Sequence, residues 1–184
     1  GVGEAAFAME QLNKNNLADT IINLKQPVLG ICLGMQLMCE FSEERNTKCL
    51  GIFDLKVKKF ELNLKIPHIG WNIVRCLNSG FFEGVALGEY VYFVHSYYAD
   101  KSNVSDEWLV ATTDYGHEFV SGICRGNIAA FQFHPEKSGQ AGLNILHNFL
   151  KSEQITVSRK LKKNSPDKTS LGKRIIACLD VRSN

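Results

Sequence analysis

The 184-residue sequence has no apolar run long enough to span a bilayer, and no charged-then-apolar leader opens it. Neither a membrane helix nor a secretory signal is read from it. It also has no Cys-x-x-Cys pair. Its six cysteines stand at 32, 39, 49, 76, 124 and 178, which offers neither a zinc cage nor a disulfide framework, and a reducing compartment is the simplest setting. An excess of charge of one sign is missing too: the formal net charge of +2 argues neither for nor against nucleic acid. No internal repeat is visible. What is present is 45% hydrophobic residues, in a length that suits one domain with a real core and a tail.

The chemistry is densest in Pro27-Val28-Leu29-Gly30-Ile31-Cys32-Leu33-Gly34-Met35-Gln36-Leu37-Met38. The apolar run up to Ile31 has the length of a parallel core strand, and Met35 to Phe41 suits a helix. Between them sits Cys32, with glycine two residues before it and two after. This is the nucleophile-elbow pattern with cysteine in place of serine. A strand that turns at once into a helix brings backbones close, and glycine leaves the room. The turn lifts the sulfur out of the sheet, and the N–H groups at the helix start favour a thiolate and can hold an oxyanion. A small buried hydrophobe is the competing reading of a lone cysteine; the doubled glycine spacing argues against it.

The chain opens on Gly1 rather than methionine, and helices are predicted over Glu4–Lys14 and Leu17–Leu24 before the core strand. That αβα rhythm without a first strand leads to the expectation of βα units upstream. Residues Ser42 to Lys48 read as loop. Strands are predicted over Val57–Phe60, Ile73–Cys76, Tyr90–Tyr97, Leu109–Thr113, Glu118–Cys124 and Ile128–Phe133, with a hairpin turn at Arg125-Gly126-Asn127. An amphipathic helix is predicted over Gly139–Leu150, with Leu143, Leu146, Phe149 and Leu150 on its apolar side.

A second chemical stretch is Phe131-Gln132-Phe133-His134-Pro135-Glu136-Lys137-Ser138. Pro135 keeps His134 out of the helical region, and in extended backbone residues two apart point the same way. His134 and Glu136 can therefore meet without any long-range coincidence. The carboxylate would orient the ring and the ring would take the thiol proton, which is the arrangement for acyl transfer. The competing reading is a structural histidine beside a solvated glutamate.

Gly-Ile-Cys-Leu-Gly-Met-Gln at 30–36 and His-Pro-Glu at 134–136 resemble the class I glutamine amidotransferases. Pro67-His68-Ile69-Gly70-Trp71-Asn72, Tyr92-Phe93-Val94-His95-Ser96-Tyr97-Tyr98 and His134-Pro135-Glu136-Lys137-Ser138 narrow the likeness to the glutaminase part of imidazole glycerol phosphate synthase, over residues 1 to 150. The resemblance implies an α/β fold: a flavodoxin-like, doubly wound, three-layer sheet with its front missing. It implies that Cys32 attacks the glutamine amide, with His134 as base and then acid and Glu136 holding it. The oxyanion would be held by the backbone of Leu33 and of the Gly1-Val2-Gly3 loop, chiefly Val2 and Gly3. Gln36, Glu44, His95, Ser96 and Tyr97 would contact the glutamine. Gln36 also lies one helical turn beyond the cysteine, facing the same pocket. Each has a plainer reading as an exposed helix residue, a loop charge or a satisfied core group. No cofactor and no metal are implied. The implied partners are glutamine and a cyclase barrel, fused or separate, with no nucleic acid and no membrane. Trp71 lies where the family faces that partner.

Residues 151–172 carry Arg159, Lys160, Lys162, Lys163 and Lys168 among Ser and Pro, and read as a basic linker. Residues 173–184 return to a strand pattern that resembles the first strand of the (β/α)8 cyclase barrel, with Asp180 at the position of its acid/base. With no barrel following, Asp180 reads as a strand-end carboxylate. The 184 residues alone are expected to be poorly active. The cytoplasm is the expected location, or a plastid if a transit peptide precedes the chain. Three rivals stay open: another cysteine hydrolase such as a γ-glutamyl hydrolase or peptidase, a non-catalytic interaction domain, and an amidotransferase making a different product.

Overall fold

The computed structural model describes residues 3–61, 63–76, 80–151 and 174–175. Two helices lead, α1 (Ala5–Lys14) and α2 (Leu17–Asn23), broken at Asn16, whose φ of 54° is one that asparagine tolerates. The buried strand β1 (Val28–Ile31) follows, then α3 (Leu33–Met38), β2 (Cys39–Ser42), β3 (Thr47–Lys48) and β4 (Phe53–Lys59). After these come β5 (His68–Ile73), β6 (Arg75–Cys76), β7 (Tyr90–His95), β8 (Tyr97–Ala99), β9 (Leu109–Asp114), β10 (Glu118–Arg125) and β11 (Ile128–Phe131). Helix α4 (Gly139–Lys151) and the short β12 (Arg174–Ile175) complete the described elements.

The large sheet runs β12-β1-β11-β10-β8-β4-β2-β3, with β9 branching off β10 and β6 pairing β9. It is mixed: β1 lies parallel to β11 and β2 to β4, while β10 is antiparallel to both β11 and β9. Alternation along β11 divides the core. Ile128 and Ala130 pack with Met35 and Met38 of α3, and Ala129 and Phe131 pack with Ile145 and Phe149 of α4. Helices thus cover both faces, giving the three layers expected. Strands β5 and β7 form a separate two-stranded sheet, from His68↔His95 to Ile73↔Tyr90.

Several elements depart from the sequence reading, and long-range pairing explains the departures among the strands. The helix read over 35–41 starts at Leu33 and ends at Met38, where the chain becomes strand. The last helical carbonyls, Leu37, Met38 and Cys39, accept from the N–H groups of Leu50, Ile52 and Gly51, so they need no further turn. The stretch read as loop over 42–48 holds a 3-10 turn, Glu44–Asn46, and the strand β3. The strand read over 57–60 begins at Phe53, and the one read over 73–76 divides where β6 leaves β5 to pair with β9. The strand read over 90–97 breaks at Ser96, because β7 pairs with β5 whereas β8 pairs with β4 and β10. On α4 the buried stripe is Ala141, Gly142, Ile145 and Phe149, and Leu143 and Leu150, expected inside, are 56% and 48% exposed. The predicted hairpin is present: Arg125 pairs Ile128 around Gly126, whose φ is +60°.

Residues Arg174–Ile175 of the stretch read as a barrel strand lie parallel to β1, Val28↔Arg174 and Leu29↔Ile175. Asp180, the linker beyond Lys151, Gly1 and Val2 lie outside the described residues.

Candidate active site

The turn from β1 into α3 is sharp. Cys32 has φ +51° and ψ −109°, a region that non-glycine residues rarely adopt. Its N–H donates to Phe131 O (2.8 Å) and its carbonyl accepts from Gln36 N (3.2 Å), so strand and helix hydrogen bonds grip it from both sides. A Cβ on Gly30 would lie 2.8 Å from Met38 Sδ and 3.2 Å from Ala130 Cβ. The glycine two residues before the cysteine is therefore where α3 packs down on the sheet.

His134 arrives from the end of β11 in extended backbone, and Pro135–Lys137 form a 3-10 turn after it. Its N–H donates to Tyr92 O (2.9 Å), and Ser138 Oγ donates to its carbonyl (2.6 Å) while accepting from Tyr92 N (2.9 Å). Strand β7 thereby fixes the histidine's backbone. Nδ1 bonds Glu136 Oε1 at 2.6 Å, which leaves Nε2, buried and without a hydrogen bond, as the basic nitrogen. Burial alone would lower the imidazole pKa, but the Cys32 sulfur and the Glu136 carboxylate outweigh it and push it up to about 9. Burial pushes the Glu136 carboxyl up, but the bond from His134, a backbone N–H and the charge of the His134 ring together hold it below the usual carboxylate value. The thiol itself donates to Val94 O (3.7 Å) and receives Gln132 Nε2 (3.6 Å).

A cleft of about 210 Å³ opens above the sulfur. Its walls bring together Gly3, Cys32, Leu33, Gln36, Glu44 and the His95-Ser96-Tyr97 segment, all named from the sequence, and add Pro67 and Val94. Gln36 is buried, and its Nε2 donates to Tyr97 O (2.9 Å) and Gln132 Oε1 (3.0 Å). Glu44 Oε2 accepts from Ala5 N (2.7 Å), so this carboxylate also ties the start of α1 to the cleft wall, and burial raises its pKa. Arg45 beside it pairs with Glu4.

His95 is buried with both ring nitrogens occupied. Tyr97 O can only accept, so His95 Nδ1 donates to it (2.7 Å) and Nε2 accepts from His68 Nδ1 (3.0 Å). His68 Nε2 then accepts from Asn72 Nδ2 (3.3 Å). Sequence reasoning missed His68, Ser138 and Gln132. Gln132 had a signal: a polar residue in a stretch read as an apolar strand, two residues before His134 and four before Glu136.

Burial lowers the pKa of His68 to about 4 and of His95 to about 3, from 6.5. The unfolded chain binds more protons below pH 6.5, so this pair's contribution is full above that value and is lost as pH falls towards 4 and then 3. The urea midpoint is expected to decline progressively below about pH 6.5, more shallowly in His68→Gln.

The class-I glutamine amidotransferase family model matches residues 5–152. The chain is 52% identical over 153 residues to the imidazole glycerol phosphate synthase subunit HisH of Bacteroides fragilis, covering 82% of this chain and 76% of that protein. It is 41% identical over 190 residues to the chloroplastic imidazole glycerol phosphate synthase hisHF of Arabidopsis thaliana, covering 100% of this chain and 32% of the plant protein. Among solved structures, a putative GMP synthase protein from Thermoplasma acidophilum superposes with a TM-score of 0.56 at 27% identity, over 77% of this chain and 65% of that one. Among the described residues no helix is long and apolar enough to cross a membrane. The chain belongs to the class-I glutamine amidotransferases, within the imidazole glycerol phosphate synthase HisH family.

Proposed function

We propose that the chain hydrolyses glutamine and that Cys32, His134 and Glu136 carry the reaction. His134 Nε2 takes the thiol proton, and the sulfur attacks the side-chain amide carbon. We assign the resulting oxyanion to the N–H groups of Leu33 and Gly3, with Val2, outside the described residues, as the further expected donor, and losing one such donor typically costs about 2.7–4 kcal/mol. The intermediate collapses as the C–N bond breaks and His134 protonates the leaving nitrogen, giving ammonia and a γ-glutamyl thioester. His134 then takes a proton from water, the thioester is hydrolysed, and glutamate leaves. Gln36, Glu44, His95, Ser96 and Tyr97 form the walls that hold the amino acid; His95 does so by fixing the Tyr97 carbonyl. The observation that carries this reading is the buried, unpartnered Nε2 of a carboxylate-bound histidine, beside a sulfur that opens on the cleft. A diazoketone analogue of glutamine tests it. One label per chain, at Cys32 and blocked by glutamine, is expected, and labelling elsewhere or none would overturn it.

The ammonia has a destination in the same reading: the cyclase barrel of imidazole glycerol phosphate synthase, fused or separate, which uses it in histidine biosynthesis. The outer face of the β5–β7 sheet suits that partner. Ile69, Trp71 and Tyr90 are each more than half exposed there, an apolar patch that water covers at a cost. Directly behind it the Tyr92 carbonyl holds His134. With the cyclase present, Trp71→Ala is expected to lower glutamine turnover about tenfold, as loss of one buried aromatic anchor does. Analogue labelling of the chain alone should stay unchanged. The reading puts the protein in the cytoplasm, or in a plastid as for the plant relative. We assign residues 151–172 the role of linker to such a barrel.

A further inference from the structure

We propose that Gln132 is a further catalytic residue, whose side-chain amide donates to Cys32 Sγ and stabilises the sulfur as a thiolate facing His134. The inference rests on the reading of Cys32 as the nucleophile.

Gln132 is wholly buried, and its backbone N–H donates to Ser121 O (3.0 Å), which ties the residue to β10 just after β11 ends. Its Nε2 lies 3.6 Å from Cys32 Sγ. Which end of the amide faces the sulfur decides its effect, and the neighbouring bonds settle this. The Tyr97 carbonyl can only accept, so Gln36 must turn its NH2 towards it (2.9 Å). The second proton of that NH2 goes to Gln132 Oε1 (3.0 Å). Gln132 is then left with its NH2 towards the sulfur. Reversing either amide would set two acceptors or two donors face to face inside the core, where an unmet polar group is costly. One backbone carbonyl therefore fixes the polarity of a chain of two glutamines that ends on the reacting atom.

Two uncharged groups meet the sulfur with opposite effects. Val94 O, at 3.7 Å, can only accept and so favours the thiol. Gln132 Nε2 can only donate and so favours the thiolate. The titratable groups nearby are His134 and Glu136 after β11, His95 on β7 and Glu44 across the cleft. Of these, His134 supplies the counter-charge; His95 stays neutral, and Glu44 and Glu136 are acids. As His134 accepts the proton, the sulfur leaves the Val94 carbonyl and keeps the Gln132 N–H. In this account Gln36 does more than line the cleft: it sets which atom Gln132 shows to the sulfur.

Gln132→Glu is the close test, because one carboxylate oxygen still accepts from Gln36 while the other replaces the donor at the sulfur. Chloroacetamide alkylation of Cys32 is followed against pH on the full chain, and glutamine hydrolysis with the cyclase present. The alkylation midpoint is expected to move up by about one pH unit, and kcat to fall about tenfold to a hundredfold with KM nearly unchanged, the scale of one hydrogen bond to a charged atom. Should Gln132→Glu not fold, as judged by near-ultraviolet circular dichroism, Gln132→Met is read in the same way. An unmoved alkylation profile, or a change in KM alone, would overturn the proposal and leave Gln132 as a prop for Gln36. If the unsubstituted chain neither alkylates at Cys32 nor turns over glutamine, the underlying reading fails instead, so the two failures are told apart.

Discussion

Cys32→Ala is expected to lower glutamine hydrolysis by about 10⁴-fold or more, because it removes the only atom that forms a covalent bond with the substrate. His134, Glu136 and the oxyanion donors would remain, and without the sulfur they have nothing to activate. The three groups work as one unit, so adding His134→Ala to Cys32→Ala should cost almost nothing further. Folding should feel the change far less. The sulfur's own hydrogen bonds are weak ones, to Val94 O and from Gln132 Nε2, and the residue is held mainly by its backbone bonds to Phe131 and Gln36. The loss is put at about 1 kcal/mol, that of a small buried group. Cys32→Gly sharpens the point. At φ +51° and ψ −109° a side chain is strained by about 1–3 kcal/mol, which glycine escapes. That variant should be as inactive as Cys32→Ala and at least as stable. Ammonia release and urea midpoints measure both effects, and a Cys32→Ala protein within tenfold of full activity would end the thioester account.

The parts of this site legible in the sequence are those whose geometry is local. Gly30 and Gly34 around Cys32 specify a strand-to-helix turn by themselves. Pro135 keeps His134 extended, as read from the sequence, but the 2.6 Å bond to Glu136 is made across the 3-10 turn Pro135–Lys137 and not along the extended backbone that the spacing suggested. Gln36 was readable as one helical turn beyond the sulfur. What local pattern could not carry was the choice of partner. Cys39 to Phe41 reads as the end of the helix, yet it becomes strand because β4 pairs along it and the N–H groups of Gly51 and Cys49 meet the carbonyls of Cys39 and Glu40. Tyr90 to Tyr97 reads as one strand, yet two sheets divide it at Ser96. Leu143 and Leu150 fit an apolar face, but the helix turns Ile145 and Phe149 inward because Phe81 and Phe131 wait there. His68 meets His95 through the β5–β7 register, and no spacing within either strand announces that pairing. The proposed glutamine contacts were reached by resemblance, and the tethers of two of them, Glu44 to Ala5 N and Gln36 to Gln132, emerged only with the fold.

Gly142→Ala is expected to cost about 3 kcal/mol of stability and about a hundredfold or more in glutamine hydrolysis, although the residue touches neither sulfur nor substrate. A Cβ there would sit 1.9 Å from the carbonyl oxygen of Pro135 and 2.8 Å from Ser138 Cβ. Something must give, and the surroundings decide what. Helix α4 cannot back away cheaply, since Ile145 and Phe149 are wholly buried and Phe149 packs on Phe81, which packs on Phe131. The turn at 135–137 must move instead. That turn carries Glu136, and the residue after it, Ser138, clamps His134 O and Tyr92 N. Displacing it shifts both members of the His134–Glu136 couple relative to a sulfur fixed elsewhere, at the turn from β1 into α3, and a misplacement of about 1 Å is enough for a hundredfold loss. Gly30→Ala makes the contrast. Its Cβ would meet the flexible thioether of Met38 first, which can swing aside, so the same added methyl group should cost less there. Urea midpoints and ammonia release for the two variants give the order; a Gly142→Ala protein as stable and active as Gly30→Ala would show that the His134 turn is not held by α4.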